Sequence, residues 1–369
     1  MSARGNTLAQ GFSQKLLLEM YEKSLTDSIV NREYQGEING VGSKLNILNI
    51  DRISEKTYSG SNLSVDDITE NNSVLTIDQL KSFYWRELTI DNWESYIKDP
   101  HSTVVSQKAD ERNKNMDEYV LGLYADVASG NRVGTDYTTG TVTVDVTTGA
   151  VTGSGTIFTA AMVGRGFKAT GHSVWYRVKT YTSATAIVIE DDKDDVTSAY
   201  SGGAIGAGAT YIIEANTAVS ITTSNLLEKL ADLREKLDQA ESFSKSAVPD
   251  SDRWLIVPPE FRNTVVRASG IALHVPEVYS ELVKKGFIGE LLGFKIFVST
   301  RLTGNNTDGY RVLAGHPNWL TFAEKLLEAD IEEDLIGNFG SAYKDLFVYG
   351  AKVADSRRHF AAELFCTFA

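Results

Sequence analysis

The sequence predicts an α+β protein of two or three domains that carries a small inserted all-β unit. Three observations indicate this: leucine is absent between Leu123 and Leu226, the same stretch is rich in Thr, Gly and Val, and leucine-bearing helical patterns lie on both sides. Leucine favours helices, whereas Thr and Val favour strands. We therefore expect a β unit at roughly 135–215, inserted into a body of mixed helices and sheets.

The composition is that of a folded protein. The chain has 369 residues, of which 42% are hydrophobic, enough for a sizeable core. Its formal net charge of -13 argues against gripping nucleic acid through its bulk surface. The single cysteine, Cys366, excludes a disulfide within the chain and a cysteine-based zinc site. No segment resembles a membrane span or a signal-peptide core, so we expect a soluble protein made in a cytoplasm.

The inserted unit shows the period-two alternation of half-buried strands, with glycines at turn spacing. Four strands are predicted, over Thr141–Val146, Ser173–Lys179, Thr185–Glu190 and Ala209–Glu214.

Before the insert, the pattern predicts an amphipathic helix over residues 8–25 and then a long two-stranded ribbon. The ribbon strands are Lys44–Ile53 and Ser73–Trp93, joined by a polar tip. An isolated ribbon is marginal in water, and this one carries a cluster of aromatic residues. We therefore expect it to lie against a neighbouring subunit. The candidate inter-subunit contact residues are Phe83, Tyr84, Trp85 and Trp93.

The body contains two strong helix patterns. Asp99-Pro100 is a good start for a long charged helix that reaches about Ser129, and Asn225 with Glu228 forms a capping box before a leucine stripe. The remaining elements alternate between short helices and strands, which is typical of an α+β region. They are strands at Arg253–Val257, Phe294–Val298 and Arg311–Ala314, helices through Phe261–Val265 and Pro276–Lys285, an acidic helix or helical loop at Leu320–Leu335, and an extended tail at Val348–Phe368.

The histidines are dispersed and no two lie at a metal-binding helical spacing. His359 and Glu363 are spaced like a ligand pair, but a structural histidine is the favoured interpretation. His172 and His316 lack the context of a nucleophile, so catalysis by either is the weaker alternative. We predict no catalytic residue, no cofactor and no metal site, and expect that the protein is not an enzyme.

Two charged runs have ordinary explanations. The run Asp191–Asp195 is the one candidate for a cation site, but it lacks the glycine and distal glutamate of an EF-hand loop, so a solvated acidic turn is favoured. Arg357–Arg358 is too short for a nucleic-acid surface and is expected to be ordinary surface charge.

Five segments, in this order, resemble the major capsid protein of tailed bacteriophages, which has the Hong Kong 97-type fold. They correspond to one strand of its extended loop, the end of its spine helix, the strand-to-helix turn of its axial domain, the loop and strand that follow, and the closing peripheral strand. These segments are Ser73–Glu87, Met116–Tyr124, Arg253–Pro259, Gly286–Leu302 and Tyr349–Val353. The resemblance covers nearly all of residues 1–134 and 216–369.

The resemblance implies a division of the chain into six parts. They are an N-terminal arm (1–36), an extended β-ribbon loop (37–98), the spine helix of a peripheral domain (99–134), the inserted β-domain (135–215), an axial domain with parts of the peripheral domain (216–345) and a C-terminal peripheral strand (346–369). The insert departs from the minimal fold. We expect it to be a surface domain that stabilises the shell, with a receptor- or glycan-binding role as the alternative.

The resemblance also implies a structural function. Copies of the chain would form the pentamers and hexamers of an icosahedral head shell that encloses double-stranded DNA without sequence-specific binding. Assembly would occur in the host bacterial cytoplasm, without a membrane. Because only about 36 residues precede the loop, a separate scaffolding protein is expected, together with a portal. The alternatives are an encapsulin-like nanocompartment shell and a surface β-domain binding protein.

Overall fold

Four β-sheets organise the computed structural model, which describes residues 24–34, 44–50, 70–88, 100–193, 199–239, 248–267, 287–332 and 339–369. The helix expected at Pro276–Lys285, residues 8–23 of the expected first helix, and most of the polar ribbon tip lie outside these residues. None of the described helices has both the length and the apolar character needed to cross a bilayer.

The helices are α1 (Thr26–Ile29), α2 (Pro100–Gly122), α3 (Leu226–Gln239) and α4 (Glu260–Arg267). Short 3-10 turns occur at Leu123–Asp126, Ala160–Met162, Pro317–Trp319 and Asp355–Phe360.

The strands before and within the insert are β1 (Lys44–Ile50), β2 (Glu70–Thr76), β3 (Gln79–Leu88), β4 (Arg132–Val133), β5 (Thr135–Tyr137), β6 (Thr141–Val144), β7 (Ala150–Ser154), β8 (Gly166–Ala169), β9 (Tyr176–Ser183), β10 (Ala186–Asp191), β11 (Ile205–Ala209) and β12 (Tyr211–Thr217). The later strands are β13 (Val219–Ile221), β14 (Trp254–Val257), β15 (Phe287–Leu291), β16 (Phe294–Val298), β17 (Gly304–Asn305), β18 (Gly309–Gly315), β19 (Thr321–Glu332), β20 (Gly340–Lys352) and β21 (Ala361–Phe368).

The long helix α2 starts at the predicted proline and buries only its C-terminal half. Met116, Val120 and Leu121 of that half are buried in one of the body cores. Its N-terminal half is charged and half-exposed, as its sequence pattern predicts.

The body is built on a sheet in the order β13-β21-β18-β14-β16-β15. Strand β14 is apolar along its whole length because it lies inside this sheet, and its four residues are all buried. Helix α3 packs against the sheet through four leucines of the predicted stripe, Leu226, Leu230, Leu233 and Leu237. Asn225, expected to cap this helix, instead accepts a hydrogen bond from the Thr222 amide at 2.7 Å and donates one to the Ser220 carbonyl at 2.9 Å.

A three-stranded antiparallel sheet in the order β19-β20-β3 replaces the acidic helix expected at Leu320–Leu335. That prediction was wrong. The segment is rich in helix-forming Leu, Glu, Ala and Lys, but it pairs with β20 over nearly its whole length, from Thr321 opposite Lys352 to Glu332 opposite Ala342. Local propensity was overridden because the pairing satisfies a long row of backbone groups.

The predicted ribbon is divided differently, and its first strand is described only as far as Ile50. Strands β1 and β2 pair in register, with Lys44 opposite Thr76, but the chain then turns and β3 joins β20 instead. Ile47 and Leu75 of the ribbon are buried against Ala323 and Val348 of the same chain. The expectation that the whole ribbon finds its burial on a neighbour is therefore wrong for this part.

The insert forms an antiparallel sheet in the order β11-β6-β7-β10-β9-β8-β12-β5 around its own apolar core. Strands β6, β9, β10 and β12 fall on the four predicted segments, although Ser173 to Trp175 precede β9. The other four strands were not predicted. They are three to five residues long and rich in glycine or threonine, so each carries little periodicity.

Candidate subunit-contact surface

Strand β3 carries three of the four predicted contact residues and forms one edge of the three-stranded sheet. Phe83 lies opposite Asp345, Tyr84 opposite Lys344 and Trp85 opposite Tyr343. Because side chains alternate along a strand, Phe83 and Trp85 point to one face and Tyr84 to the other. Trp93 lies outside the described residues.

The face with Phe83 and Trp85 packs on helix α2 of the same chain. Trp85 stacks on Tyr343 with ring centroids 4.9 Å apart. The ammonium group of Lys108 lies 3.9 Å from the centroid of Trp85 and 5.0 Å from that of Phe83. These cation–π contacts hold the edge strand to the helix. The two aromatic rings are thus half-buried within the subunit.

Asp345 on β20 completes this packing. Its carboxylate accepts hydrogen bonds from Arg112 at 2.8 Å, from Lys108 at 3.2 Å and from the Phe83 amide at 3.1 Å. Burial works to raise the pKa of Asp345, but the bonds from Arg112 and the Phe83 amide hold it below its ordinary value. The carboxylate is therefore ionised at neutral pH and fixes β3 and β20 on α2.

The opposite face is open. Tyr84 is 67% exposed, and Leu80 on the same side of β3 is also exposed. Lys344, opposite Tyr84, pairs with Asp330 at 3.0 Å and Glu332 at 3.4 Å on β19. A cavity of about 320 Å³ lies beside Tyr84 and Lys344. Of the four predicted contact residues, Tyr84 is thus the one that the structure shows with its ring exposed.

Further apolar side chains are exposed on the β19–β20 hairpin. They are Leu326, Ile331 and Phe339, the last of which is 84% exposed. The register places Leu326 and Ile331 on the face of Phe83 and Trp85, because Leu326 lies opposite Phe347 and Ile331 lies opposite Tyr343, the partner of Trp85. The sequence analysis missed the exposure of Leu326 and Ile331 because it assigned Leu320–Leu335 to a helix or helical loop.

His172 and His316 have structural partners, whereas Nδ1 of the buried His359 has no hydrogen-bond partner among the described residues. His172 Nε2 lies 2.8 Å from the Tyr200 hydroxyl, and burial lowers the pKa of His172. His316 Nδ1 accepts from the Asn318 amide at 3.2 Å, and burial likewise lowers its pKa. Among the described residues, no group of His, Cys, Asp and Glu is placed to hold a metal ion.

Two charged runs differ from expectation. Asp192, assigned to a solvated turn, has a mostly buried side chain that pairs with Arg358 at 2.8 Å. Arg358, assigned to the surface, is correspondingly buried. Glu363 does not pair with His359. Its carboxylate forms ion pairs with Arg132, Arg165 and Arg311. The sequence carried no signal for these contacts because the partners are far apart along the chain.

Comparison with known proteins gives a structural likeness only. No protein-family model matches the chain, and no curated protein sequence matches it. A solved structure from Mycobacterium phage Che8 is similar, with a TM-score of 0.58 and 18% identity, over 99% of this chain and 98% of that one. The capsid structure of cyanophage P-SCSP1u is similar with a TM-score of 0.56 and 15% identity, over 98% and 94%. The capsid of Ralstonia phage GP4 gives 0.53 and 12%, over 99% and 96%.

The chain has the Hong Kong 97-type capsid fold. This confirms the fold class predicted from the sequence. The exposed face of β3, with Leu80 and Tyr84, is opposite to the face of the same sheet that packs on α2.

Proposed function

We propose that this protein is a major capsid protein, which assembles with copies of itself into an icosahedral phage head shell. The observation that carries the proposal is the extent of the likeness to capsid structures, which spans 98% of this chain for cyanophage P-SCSP1u and 99% for Ralstonia phage GP4. A fold can host several functions, so the proposal also rests on the exposed surface described above.

The exposed face of β3 supports contacts between copies. We infer that Tyr84 and Leu80 touch a neighbouring subunit. Phe83 and Trp85 are half-buried against the chain's own helix, so we propose a smaller contribution from them. Each contact can be weak, since a subunit in a pentamer or hexamer engages several neighbours at once.

The proposal includes partners beyond the shell itself. The shell would enclose double-stranded DNA, and a net charge of -13 suits a container that does not bind its cargo tightly. A separate scaffolding protein and a portal would take part in assembly in the bacterial cytoplasm. The insert would lie on the outside of the shell as a stabilising domain.

Expression of the full chain, alone and with the products of its neighbouring genes, tests the proposal. We expect closed polyhedral particles in electron micrographs and megadalton species by light scattering in at least one of these conditions. A chain that stays monomeric in all of them, at concentrations where other shell subunits assemble, would contradict the proposed function.

A further inference from the structure

The insert, strands β5 to β12 between Thr135 and Thr217, has an apolar core of its own. Its buried members all come from within the insert: Val142, Val144, Val151, Phe158, Met162, Phe167, Ala169, Tyr176, Val178, Ile187, Ile189, Tyr200, Tyr211 and Ile213. The apolar clusters of the body, meaning the described residues outside 135–217, contain none of these. Among the described residues, no apolar cluster therefore spans both the insert and the body.

Both connections of the insert run along the C-terminal strand β21. The chain enters through β4, which pairs in parallel with β21 at Glu363 and Leu364. It leaves through β13, which pairs in parallel with β21 further along, at Cys366 to Phe368. The two connections are thus anchored on one strand, and Glu363 lies at the point of entry.

Glu363 forms ion pairs with arginines of both the insert and the body. Its side chain is 0% exposed and lies 3.2 Å from Arg165 of the insert, 2.8 Å from Arg311 of β18 and 3.4 Å from Arg132 of β4. Arg132 in turn donates to the Gly164 carbonyl of the insert at 2.7 Å. An arginine of the insert thus binds the body, and an arginine of the body binds the insert.

Two carboxylates of the insert hold the backbone of the entering chain. Glu214 accepts from the Gly130 amide at 2.6 Å and, within the insert, from the Gly166 amide at 3.1 Å. Asp192 accepts from the Ser129 amide at 2.6 Å and pairs with Arg358 of the body. Gly130 has φ +94°, and a Cβ there would lie 2.7 Å from the indole nitrogen of Trp175. The insert therefore binds the backbone of Ser129 and Gly130, just before the chain enters it.

A junction of this composition specifies an orientation. An apolar face tolerates sliding and rotation, whereas buried guanidinium and carboxylate groups are satisfied only at particular distances and angles. Buried ion pairs contribute little net stability, because desolvation opposes the attraction, but a mispaired buried charge is costly. Alternative positions of the insert would leave Glu363, Glu214 or Asp192 mispaired.

We propose that this buried ion cluster, which we call the joint (Arg132, Arg165, Asp192, Glu214, Arg311, Arg358 and Glu363), locks the insert in one orientation on the body. The insert is a rigid projection, although its separate core would allow it to swing as a tethered domain. In an assembled shell every copy would then present the same insert face in the same direction. The lock itself belongs to the single subunit and does not depend on assembly.

Distance measurements between two spin labels on the unassembled full chain test the lock. Labels are attached at Val146→Cys, on the exposed β6–β7 turn of the insert, and at Leu227→Cys, on the exposed side of α3. The native Cys366 is fully buried and burial raises its pKa to about 12, so it stays unlabelled. We expect one narrow distance distribution for the parent. A broad or multiple distribution for the parent would overturn the proposal.

The same distance measurement on variants of the joint is the second part of the test. Arg165→Met combined with Asp192→Asn should widen the distribution by roughly twofold or more while the insert keeps its fold. Glu190→Gln is the matched control, because Glu190 is a buried carboxylate that pairs with Arg177 at 2.8 Å and Lys179 at 3.0 Å inside the insert. It should keep the parent's width. A parental width in the joint variant would also overturn the proposal.

Hydrogen exchange covers the case in which the double variant does not fold. Asp192→Asn alone keeps an acceptor for the Ser129 amide but removes the charge. We expect Ser129 and Gly130 to exchange at least about tenfold faster in this variant than in the parent. Unchanged exchange at both amides would contradict the lock. Because the measurement needs no particles, failure here would leave the assembly proposal standing.

Discussion

Asp117, in the buried half of helix α2, accepts the backbone amide of Thr26 at 3.0 Å and the Thr26 hydroxyl at 2.5 Å. The same carboxylate accepts from the Leu25 amide at 3.1 Å and pairs with Arg301. One side chain of α2 thus holds the N-terminal segment and a loop of the body together. The group is buried, so its partners are not interchangeable with water.

Replacing Asp117 by Asn should cost about 3–5 kcal/mol of stability, because the buried Arg301 would lose the carboxylate that pairs with it. The measurement is denaturant unfolding of the unassembled subunit. Glu111→Gln is the control on the same helix: its pair with Lys114, at 3.9 Å, is half-exposed and should be worth less than about 1 kcal/mol. Equal losses in the two variants would contradict the role of Asp117.

Two glycines should respond to alanine in opposite directions. A Cβ at Gly134, where the chain enters the insert, would lie 2.8 Å from both Cα and Cβ of Ala215. Gly134→Ala should therefore destabilise the protein by about 1–3 kcal/mol through overpacking. Gly122, the last residue of α2, has helical dihedral angles, and a methyl group added there would meet nothing within 4 Å. Gly122→Ala should raise stability by up to about 1 kcal/mol. Thermal unfolding of both variants tests these predictions. A higher stability for Gly134→Ala would contradict the close contact between Gly134 and Ala215.

The buried Glu214 predicts a pH dependence. Burial raises its pKa from 4.5 to about 7, although Arg132 and the Gly130 amide oppose this. A carboxyl whose pKa is higher in the folded than in the unfolded state binds its proton more tightly when folded. Its contribution to stability is therefore complete below pH 4.5 and is lost as the pH rises to about 7.

The comparison variant for this effect is Glu214→Gln. Across pH 4.5 to 7, the free energy of unfolding of the parent should fall relative to that of Glu214→Gln by roughly 1 kcal/mol per pH unit. The quantity compared is the difference in the free energy of unfolding between parent and variant. His172, His316 and His359, whose pKa values burial lowers, make stability rise with pH in both proteins, and this contribution cancels in the difference. A parent and variant with parallel profiles would show that Glu214 does not titrate in this range.

Cys366 should report global unfolding. It is buried in β21 and burial raises its pKa from 9.0 to about 12, so at a given pH the thiolate is about a thousandfold scarcer than for an ordinary thiol. A disulfide reagent should therefore react slowly with the folded subunit and at once after denaturation. Rapid modification of the native protein would contradict the placement of β21 in the core.

Tyr84→Ser should impair assembly without affecting the subunit. The ring is mostly exposed in the single chain, so unfolding of the unassembled subunit should change by less than about 1 kcal/mol. Particle yield, by sedimentation, should fall severalfold. The control is Val174→Ser, an exposed apolar residue of the insert, which should assemble normally. Normal yields for Tyr84→Ser would remove Tyr84 from the proposed contact.

Composition and periodicity were reliable where local pattern and burial agree. The leucine gap located the insert because sheets and helices favour different side chains. The leucine stripe of α3 and the apolar run of β14 are buried, as their sequence patterns predict. The order of five packing segments identified the capsid fold, which the structural likeness confirms.

Tertiary structure decided what depends on partners remote in sequence. The sequence of β19 predicts a helix, but the segment pairs with β20 as a strand, and Phe83 and Trp85 pack on a lysine of α2. Arg165 and Glu363 are 198 positions apart, so no local pattern could pair them. The sequence by itself thus located the insert, helices α2 and α3 and strand β14, because these follow from neighbouring side chains. Which charges are buried, which faces stay exposed and how the insert is held were determined only by folding, because desolvation and pairing depend on the whole chain.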